Sequence, residues 1–131
     1  MSIPGLAGLK ILLVEGDQFI QDALKTCFLA EGCSLTAVNS ATEGLSLLEK
    51  NSFDVIICDF ELSGVDGFEF FKLASGYSTK SIKIMIAGYG DIDPMSKVFH
   101  YSIRDIIEKP FSFESLLFTI AKHLKNATAD G

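Results

Sequence analysis

Three short apolar runs most restrict what this chain can fold into: KILLV at residues 10–14, FDVIIC at residues 53–58 and IKIMI at residues 82–86. Each run has the length of a β-strand and is almost continuously apolar, which predicts a strand buried on both faces. Helical patterns separate the runs, so helices must cover both sides of a parallel sheet through right-handed crossovers. The sequence therefore predicts a doubly wound α/β fold.

Capping residues and apolar spacing mark the other elements of this alternation. Asp17 is a candidate N-cap for a helix over residues 18–31, and Gly32 ends that helix as a C′ residue would. Ser40 precedes a glutamate by three residues, the spacing of a capping box, and Ser112 is the candidate N-cap of the last helix. Further strands are predicted at residues 34–38 and 104–108, and further helices at residues 67–74 and, with a weaker pattern, 92–101.

The length of the chain fits one domain. With 131 residues, 48% of them apolar, it can bury a single core and is too apolar to be disordered. We expect one domain over residues 1–131, with a core over about 9–125. The small polar tail NATADG, residues 126–131, is expected to be either a frayed end or a cut linker.

Charge and cysteine content argue against several classes of protein. The net charge of −6, from 11 Lys and Arg against 17 Asp and Glu, argues against direct nucleic-acid binding and gives no support for binding to an anionic membrane. No segment approaches the roughly 20 apolar residues of a membrane span, and we expect no secretory signal at the start of the chain. Cys27, Cys33 and Cys58 show no Cys-x-x-Cys spacing, so we expect buried free thiols and a cytoplasmic location.

Charged side chains follow three of the predicted strands at their carboxyl ends, where open parallel sheets form their binding crevice. Glu15 follows the first strand, Asp59 the third and Lys109 the fifth, so we expect the three to converge. A lysine or a divalent cation would relieve the repulsion between the two carboxylates. Mg²⁺ takes carboxylate, carbonyl and water oxygens, and an aspartate beside such a cation and a lysine can attack a phosphoryl group.

Each of these residues also has an ordinary structural explanation. Asp59 alone would be the polar end of a buried strand, Lys109 a solvated surface residue, and Glu15 a loop acid beside a helix N-terminus. Asp17 is better explained as a helix cap than as a metal ligand. The Asp-Gly pair at residues 66–67 is explained mainly as a turn whose glycine adopts an unusual backbone angle.

Four segments together favour the functional interpretation: ILLVEGD, DVIICDFELSGVDGFEF, IMIAGYGD and DIIEKPF. With them the chain resembles a response-regulator receiver domain of two-component signalling over nearly its whole length. The resemblance implies a flavodoxin-like five-stranded parallel sheet of order 2-1-3-4-5, with helices on both faces. It also implies that Asp59 is the phosphoacceptor, that Lys109 pairs with the phosphoryl group, and that the Lys109–Pro110 peptide bond is cis. Mg²⁺ would be held by Asp59, by Glu15 through water and by the backbone carbonyl of Glu61.

Four positions depart from the pattern of that family. Gly16 stands where the second member of an acidic pair ligates the metal directly, and Ala87 stands where a hydroxyl residue binds the phosphoryl oxygen. Ile106 replaces an aromatic switch residue, and Ser63 replaces a proline. These departures predict an atypical receiver domain in which Mg²⁺ binding and phosphorylation are weakened or lost.

Two functional hypotheses follow, and neither makes the chain an enzyme. In the first, a sensor histidine kinase or a phosphotransfer protein passes phosphate to Asp59. In the alternative, the chain is a phosphorylation-independent protein–protein interaction module. Both allow an effector domain or a second copy of the chain to bind the face formed by the fourth predicted helix, strand five and the last helix.

Overall fold

The computed structural model describes residues 5–77, 80–88, 90–91 and 100–130, and the side chains up to residue 125 apart from that of His100. Strands and helices alternate along this part of the chain as predicted. They are β1 (Lys10–Val14), α1 (Gln18–Ala30), β2 (Ser34–Val38), α2 (Ala41–Lys50), β3 (Val55–Asp59), α3 (Gly67–Ala74), β4 (Ile82–Ala87), a 3₁₀ turn (His100–Ser102), β5 (Ile103–Glu108) and α4 (Phe113–Asp130). β1 and β2 have the predicted bounds, whereas β3, β4 and β5 differ from the predicted bounds by one or two residues at one or both ends.

The five strands form one parallel sheet in the order β2-β1-β3-β4-β5, which confirms the predicted flavodoxin-like topology. The pairing register aligns the strands at their carboxyl ends. Val14 lies opposite Cys58, and Asp59 lies opposite Ile86. Whatever follows β1, β3 and β4 in the sequence is therefore placed along the same edge of the sheet.

The two faces of the sheet each support a separate apolar core, which explains the continuous apolar runs. In β1, Ile11 and Leu13 face the core that α1 and α4 cover, while Leu12 and Val14 face the core that α2 and α3 cover. Burying each such side chain contributes about 1.5–3 kcal/mol. The second core also contains the three phenylalanines of α3, Phe68, Phe70 and Phe71.

The helix ends use the residues that the sequence indicated. One carboxylate oxygen of Asp17 accepts hydrogen bonds from the backbone N–H groups of Phe19 (2.8 Å) and Ile20 (3.3 Å). Ser40 and Ser112 cap α2 and α4 in the same way. Gly32, which follows α1, has a φ of 82°, a left-handed angle that favours glycine. The interpretation of Asp17 as a helix cap is therefore confirmed.

Both ends of the domain differ from the prediction. The expected polar tail instead continues α4 to Asp130. Extending a formed helix through a segment without proline or glycine needs no new nucleation, which is the physical reason. At the other end, Leu6 is buried in the core, although the core was expected to begin at about residue 9. The N–H of Gly8 bonds to the carbonyl of Gly32 and holds this segment against the end of α1.

The predicted helix at residues 92–101 falls almost entirely outside the described residues. Its last two positions belong to the 3₁₀ turn, where Tyr101 has a φ of 58° and Ser102 a φ of 64°. These left-handed angles end any helix before β5 begins. Among the described residues, none of the helices combines the length and apolar character needed to cross a bilayer.

Candidate functional site

Three charged side chains meet at the carboxyl edge of the sheet. Asp59 is the last residue of β3, Glu15 directly follows β1, and Lys109 directly follows β5. The ammonium nitrogen of Lys109 lies 3.1 Å from Oδ2 of Asp59 and 3.9 Å from Oε1 of Glu15. The convergence predicted from the strand ends is therefore observed, while the roles assigned to the three residues remain predictions.

The two carboxylates are buried, with 2% of Glu15 and 5% of Asp59 exposed. Oε2 of Glu15 accepts a hydrogen bond of 3.0 Å from the backbone N–H of Asp17. Burial raises the pKa of Glu15 to about 7, and the charge of Asp59 adds to that rise. The N–H of Asp17 and the charge of Lys109 oppose the rise but do not cancel it.

Lys109 offsets part of this negative charge. Burial alone would lower its pKa, but the hydrogen bond to Asp59 and the charge of Glu15 outweigh burial and raise the pKa. Lys109 therefore stays cationic at neutral pH, beside one carboxylate that it bonds directly and a second that holds a proton part of the time.

The site fits a hard cation that takes few protein ligands. Oε1 of Glu15 is buried and has no hydrogen-bond partner among the described residues, which leaves one carboxylate oxygen unsatisfied beside Asp59. In the described part of the chain, no group of three or more His, Cys, Asp or Glu side chains could hold a metal. A cation here would thus depend on Glu15, Asp59, a backbone carbonyl and water. The side chain of Glu61 is exposed, and the role of its backbone carbonyl as a metal ligand remains a prediction.

The loop after β3 brings its backbone close to Asp59. Asp66 caps α3 through the N–H of Glu69, and the N–H of Gly67 donates to the carbonyl of Phe60. A Cβ on Gly67 would lie 3.1 Å from the carbonyl oxygen of Asp59 and from two other heavy atoms. The expectation of an unusual backbone angle at Gly67 is wrong, because its φ is not positive. Close approach to the strand end is the reason for a glycine at this position.

The end of β4 contains a contact that the sequence analysis missed. Ala87 is buried, and its carbonyl accepts a hydrogen bond of 2.7 Å from the N–H of Lys109. The next N–H, that of Gly88, donates to Oδ2 of Asp91 at 2.7 Å. The sequence feature that could have predicted this contact is the segment AGYGD, in which an aspartate comes three residues after a glycine at a strand end. A backbone donor at the crevice is therefore already bonded to a carboxylate of the protein.

An apolar cavity of about 590 Å³ adjoins the charged site between α1 and the start of α4. Its lining includes Ala23 and Cys27 of α1 together with Lys109, Pro110 and Phe111. The Lys109–Pro110 bond is cis, as the resemblance implied.

The three cysteines are free; Cys33 and Cys58 are buried as predicted, while Cys27 is only half-buried.

Comparison with known proteins gives the same family from sequence and from structure. A family model described as "Response regulator receiver domain" matches residues 11–121. The chain is 30% identical to the response regulator protein FleR of Pseudomonas aeruginosa over 87% of the chain and 24% of FleR. It is 33% identical to the transcriptional regulatory protein YvrH of Bacillus subtilis over 88% of the chain and 49% of YvrH.

The structural comparison covers almost the whole chain. A CheY-like response regulator receiver domain protein from Methanospirillum hungatei has a TM-score of 0.87 and 26% identity, covering 95% of this chain and 100% of that one. By contrast, the chain spans no more than about half the length of the two curated relatives.

Proposed function

Because the chain belongs to the response regulator receiver domain family, we propose that it accepts a phosphoryl group on Asp59 through a weakened site. Receiver domains are signalling modules rather than enzymes, and response regulators interact with histidine kinases and effector domains. The observation that carries the proposal is the 3.1 Å bond between Lys109 and a buried Asp59 at the carboxyl edge of the sheet. A carboxylate held there is shielded from bulk water and lies beside a cation that can offset the negative charge of an incoming phosphoryl group.

The described side chains support specific steps of phosphoryl transfer. A carboxylate oxygen of Asp59 attacks phosphorus, the bond from phosphorus to the donor breaks, and the donor leaves with that electron pair. Lys109, at the side of Asp59, stabilises the negative charge on the phosphoryl oxygens. Glu15 would hold Mg²⁺ together with Asp59 and the Glu61 carbonyl. When bound, that cation neutralises charge between the carboxylates and the phosphoryl group.

Three features support a weakened site. Gly16 supplies no second acidic ligand, and losing one carboxylate weakens a hard-cation site because ligand charge tunes its affinity. Ala87 has no hydroxyl group, so a hydrogen bond to a charged phosphoryl oxygen, worth about 1.5–3 kcal/mol, is missing. The N–H of Gly88 is bonded to Asp91, so this donor reaches a phosphoryl group only after that bond breaks.

The test is incubation with acetyl phosphate and Mg²⁺ followed by intact-mass measurement, with Asp59→Asn as the control. We expect a slow gain of one phosphate that requires both Asp59 and Mg²⁺. No gain at any Mg²⁺ concentration would refute phosphorylation from this donor and favour the alternative function. A gain that survives in Asp59→Asn would refute the assignment of the phosphoacceptor.

The alternative is an interaction module that works without phosphate, and Ile106 is the observation that favours it. Ile106 lies half-buried on β5 against the core of α2 and α3 and takes the position of the aromatic switch residue. An isoleucine has no polar end to exchange between water and a hydrogen-bond partner, so phosphorylation would have less effect on this face. Under this alternative, an effector or a second copy binds at β5 and α4 with equal affinity for wild type and Asp59→Asn.

For the phosphate donor, we propose that a helix of a histidine kinase or phosphotransfer protein docks over the apolar cavity. Phe19 on α1 is 87% exposed, and the next residue, Ile20, lines the cavity. A partner covering these residues would have its reactive group near Asp59, because the same cavity reaches Lys109. Ala23→Glu should slow transfer from a protein donor at least about tenfold while leaving acetyl phosphate labelling unchanged. Equal slowing with both donors would refute docking at this surface.

The extent of the domain and its compartment belong to the same proposal. We propose that residues 1–131 make one receiver domain, since described residues from Leu6 to Leu124 contribute to the two apolar cores. The three free cysteines support a reducing, cytoplasmic environment. Burial raises the pKa of the Cys33 and Cys58 thiols, which argues against a reactive role for either.

A further inference from the structure

We propose that Gln21 is a positioning residue that holds Glu15 in place at the crevice, an inference that rests on the proposed function of that site. Gln21 lies on α1 and is buried, with 6% of the residue exposed. Buried polar side chains are normally fully hydrogen-bonded, so the partners of a buried glutamine show what it is holding.

The partners of Gln21 come from two different loops at the crevice. Its side-chain nitrogen donates to the backbone carbonyl of Glu15 through a very short hydrogen bond. The same nitrogen donates to Oδ1 of Asn39 at 2.6 Å and lies 3.4 Å from the carbonyl of Val38. The side chain thus joins the end of β1 to the loop that follows β2.

The chemistry of these partners requires an N–H₂ group. A backbone carbonyl only accepts hydrogen bonds, so the contact with Glu15 fixes which end of the Gln21 amide faces it. The second amide hydrogen is then available for Asn39. A glutamate in place of Gln21 would have only acceptor oxygens facing the acceptor oxygens of its partners. An alkyl side chain there would leave the Glu15 carbonyl without this hydrogen bond.

The position of this link explains why Glu15 needs it. The pairing of β1 with β2 ends at Val14 and Val38, and beyond it, within the described residues, the N–H of Glu15 donates to the carbonyl of Val38. Gly16, which comes next, has no side chain to pack. The buried carboxylate of Glu15 keeps its place at the crevice only if the backbone that carries it has a further attachment. Gln21 provides that attachment.

Backbone amide hydrogen exchange tests the proposal without any need for phosphorylation. In Gln21→Leu and Gln21→Glu, we expect the N–H groups of Glu15 and Asp17 to exchange at least about fivefold faster relative to the N–H groups of β3, because local opening is no longer opposed by this bond. Gln18→Leu and Gln18→Glu are the matched controls, since Gln18 is exposed on the same helix and its side chain donates to Asp22. Gln21→Lys, which keeps N–H donors, should restore slow exchange at least in part.

Uniformly faster exchange throughout the sheet, or unchanged exchange at Glu15 and Asp17, would overturn the proposal, because Gln21 would then be an ordinary core residue.

A second measurement tests whether the hydrogen bonds of Gln21 affect Mg²⁺ binding at the site. In Gln21→Leu, the Mg²⁺ concentration for half-maximal labelling by acetyl phosphate should rise about fivefold, with the rate at saturating Mg²⁺ unchanged. An unchanged Mg²⁺ requirement together with a lower saturating rate would contradict positioning of Glu15. If the wild-type protein is not labelled at all, the proposed function fails, and the exchange measurement still decides the role of Gln21.

Discussion

Replacing Glu15 by glutamine should stabilise the protein, and more so at higher pH. The pKa of Glu15 is raised from its ordinary value of 4.5 to about 7, mainly because the carboxyl group is buried. The folded protein therefore holds a proton that the unfolded chain releases as the pH rises above 4.5. Stability is lost between the two pKa values and the full penalty is present above pH 7. Glutamine keeps the shape and the acceptor for the N–H of Asp17 but carries no charge.

The size of the effect follows from the two pKa values. A difference of about 2.5 units corresponds to about 3.4 kcal/mol at high pH, at about 1.36 kcal/mol per unit. This figure is an upper bound, because the crevice is open to solvent on the side of Lys109, whose side chain is 32% exposed. Allowing for that screening, we expect Glu15→Gln to gain about 1–2 kcal/mol over wild type between pH 5 and pH 8.

Urea unfolding at pH 5, 6.5 and 8, in EDTA to remove divalent cations, measures this difference. Glu49→Gln is the matched control, since Glu49 is exposed on α2, and it should show no comparable dependence on pH. Adding Mg²⁺ at pH 8 should reduce the advantage of Glu15→Gln, because the cation stabilises only the charged carboxylate. If the difference in unfolding free energy between Glu15→Gln and wild type does not change with pH, the view that Glu15 carries a desolvated charge is refuted.

Three further predictions concern glycines and a loop acid at the crevice. Gly16→Asp should lower the Mg²⁺ concentration for half-maximal labelling by about tenfold, because a Cβ there meets nothing closer than 4.0 Å; an unchanged requirement would remove the argument for a weakened site. Gly67→Ala should cost about 1–3 kcal/mol in urea unfolding through overpacking, whereas Gly76→Ala, with open space around it, should cost much less. Asp91→Ala should slow the loss of phosphate from labelled protein about threefold or more by freeing a backbone donor; an unchanged lifetime would show that this donor does not contact the phosphoryl group.

Most of the fold was predictable because a parallel sheet buried on both faces leaves a strong pattern. The runs at β1, β3 and β4 are apolar at successive positions, since alternate side chains enter opposite cores. Lys83 was the exception: it is 1% exposed within β4, and burial lowers its pKa. Nothing in the sequence distinguishes it from a lysine at a strand surface, because its burial depends on elements distant along the chain.

The site was predictable to the extent that it depends on strand ends. Glu15, Asp59 and Lys109 converge because parallel strands end at one edge, a consequence of topology alone. The contacts of Gln21 were not predictable, because they depend on the path of loops and on which rotamer the side chain adopts, whereas the contact of Asp91 had a local signal in AGYGD. Gly67 shows the same limit: its position was noted correctly, but the reason is the distance to neighbouring backbone rather than its own φ.

The absence of a carboxylate at position 16 changes the charge balance of the crevice as well as its ligand set. With Glu15 protonated part of the time near pH 7, Asp59 and Lys109 nearly cancel, so the site is close to neutral without a metal. A third carboxylate would leave an excess negative charge that only a divalent cation could offset. Under the proposed function, Gly16 would therefore favour the metal-free state, and phosphorylation would compete with the ion pair between Lys109 and Asp59. The proposed phosphoryl transfer thus depends on how far Mg²⁺ can weaken the bond between Lys109 and Asp59, whereas the alternative function requires no such change.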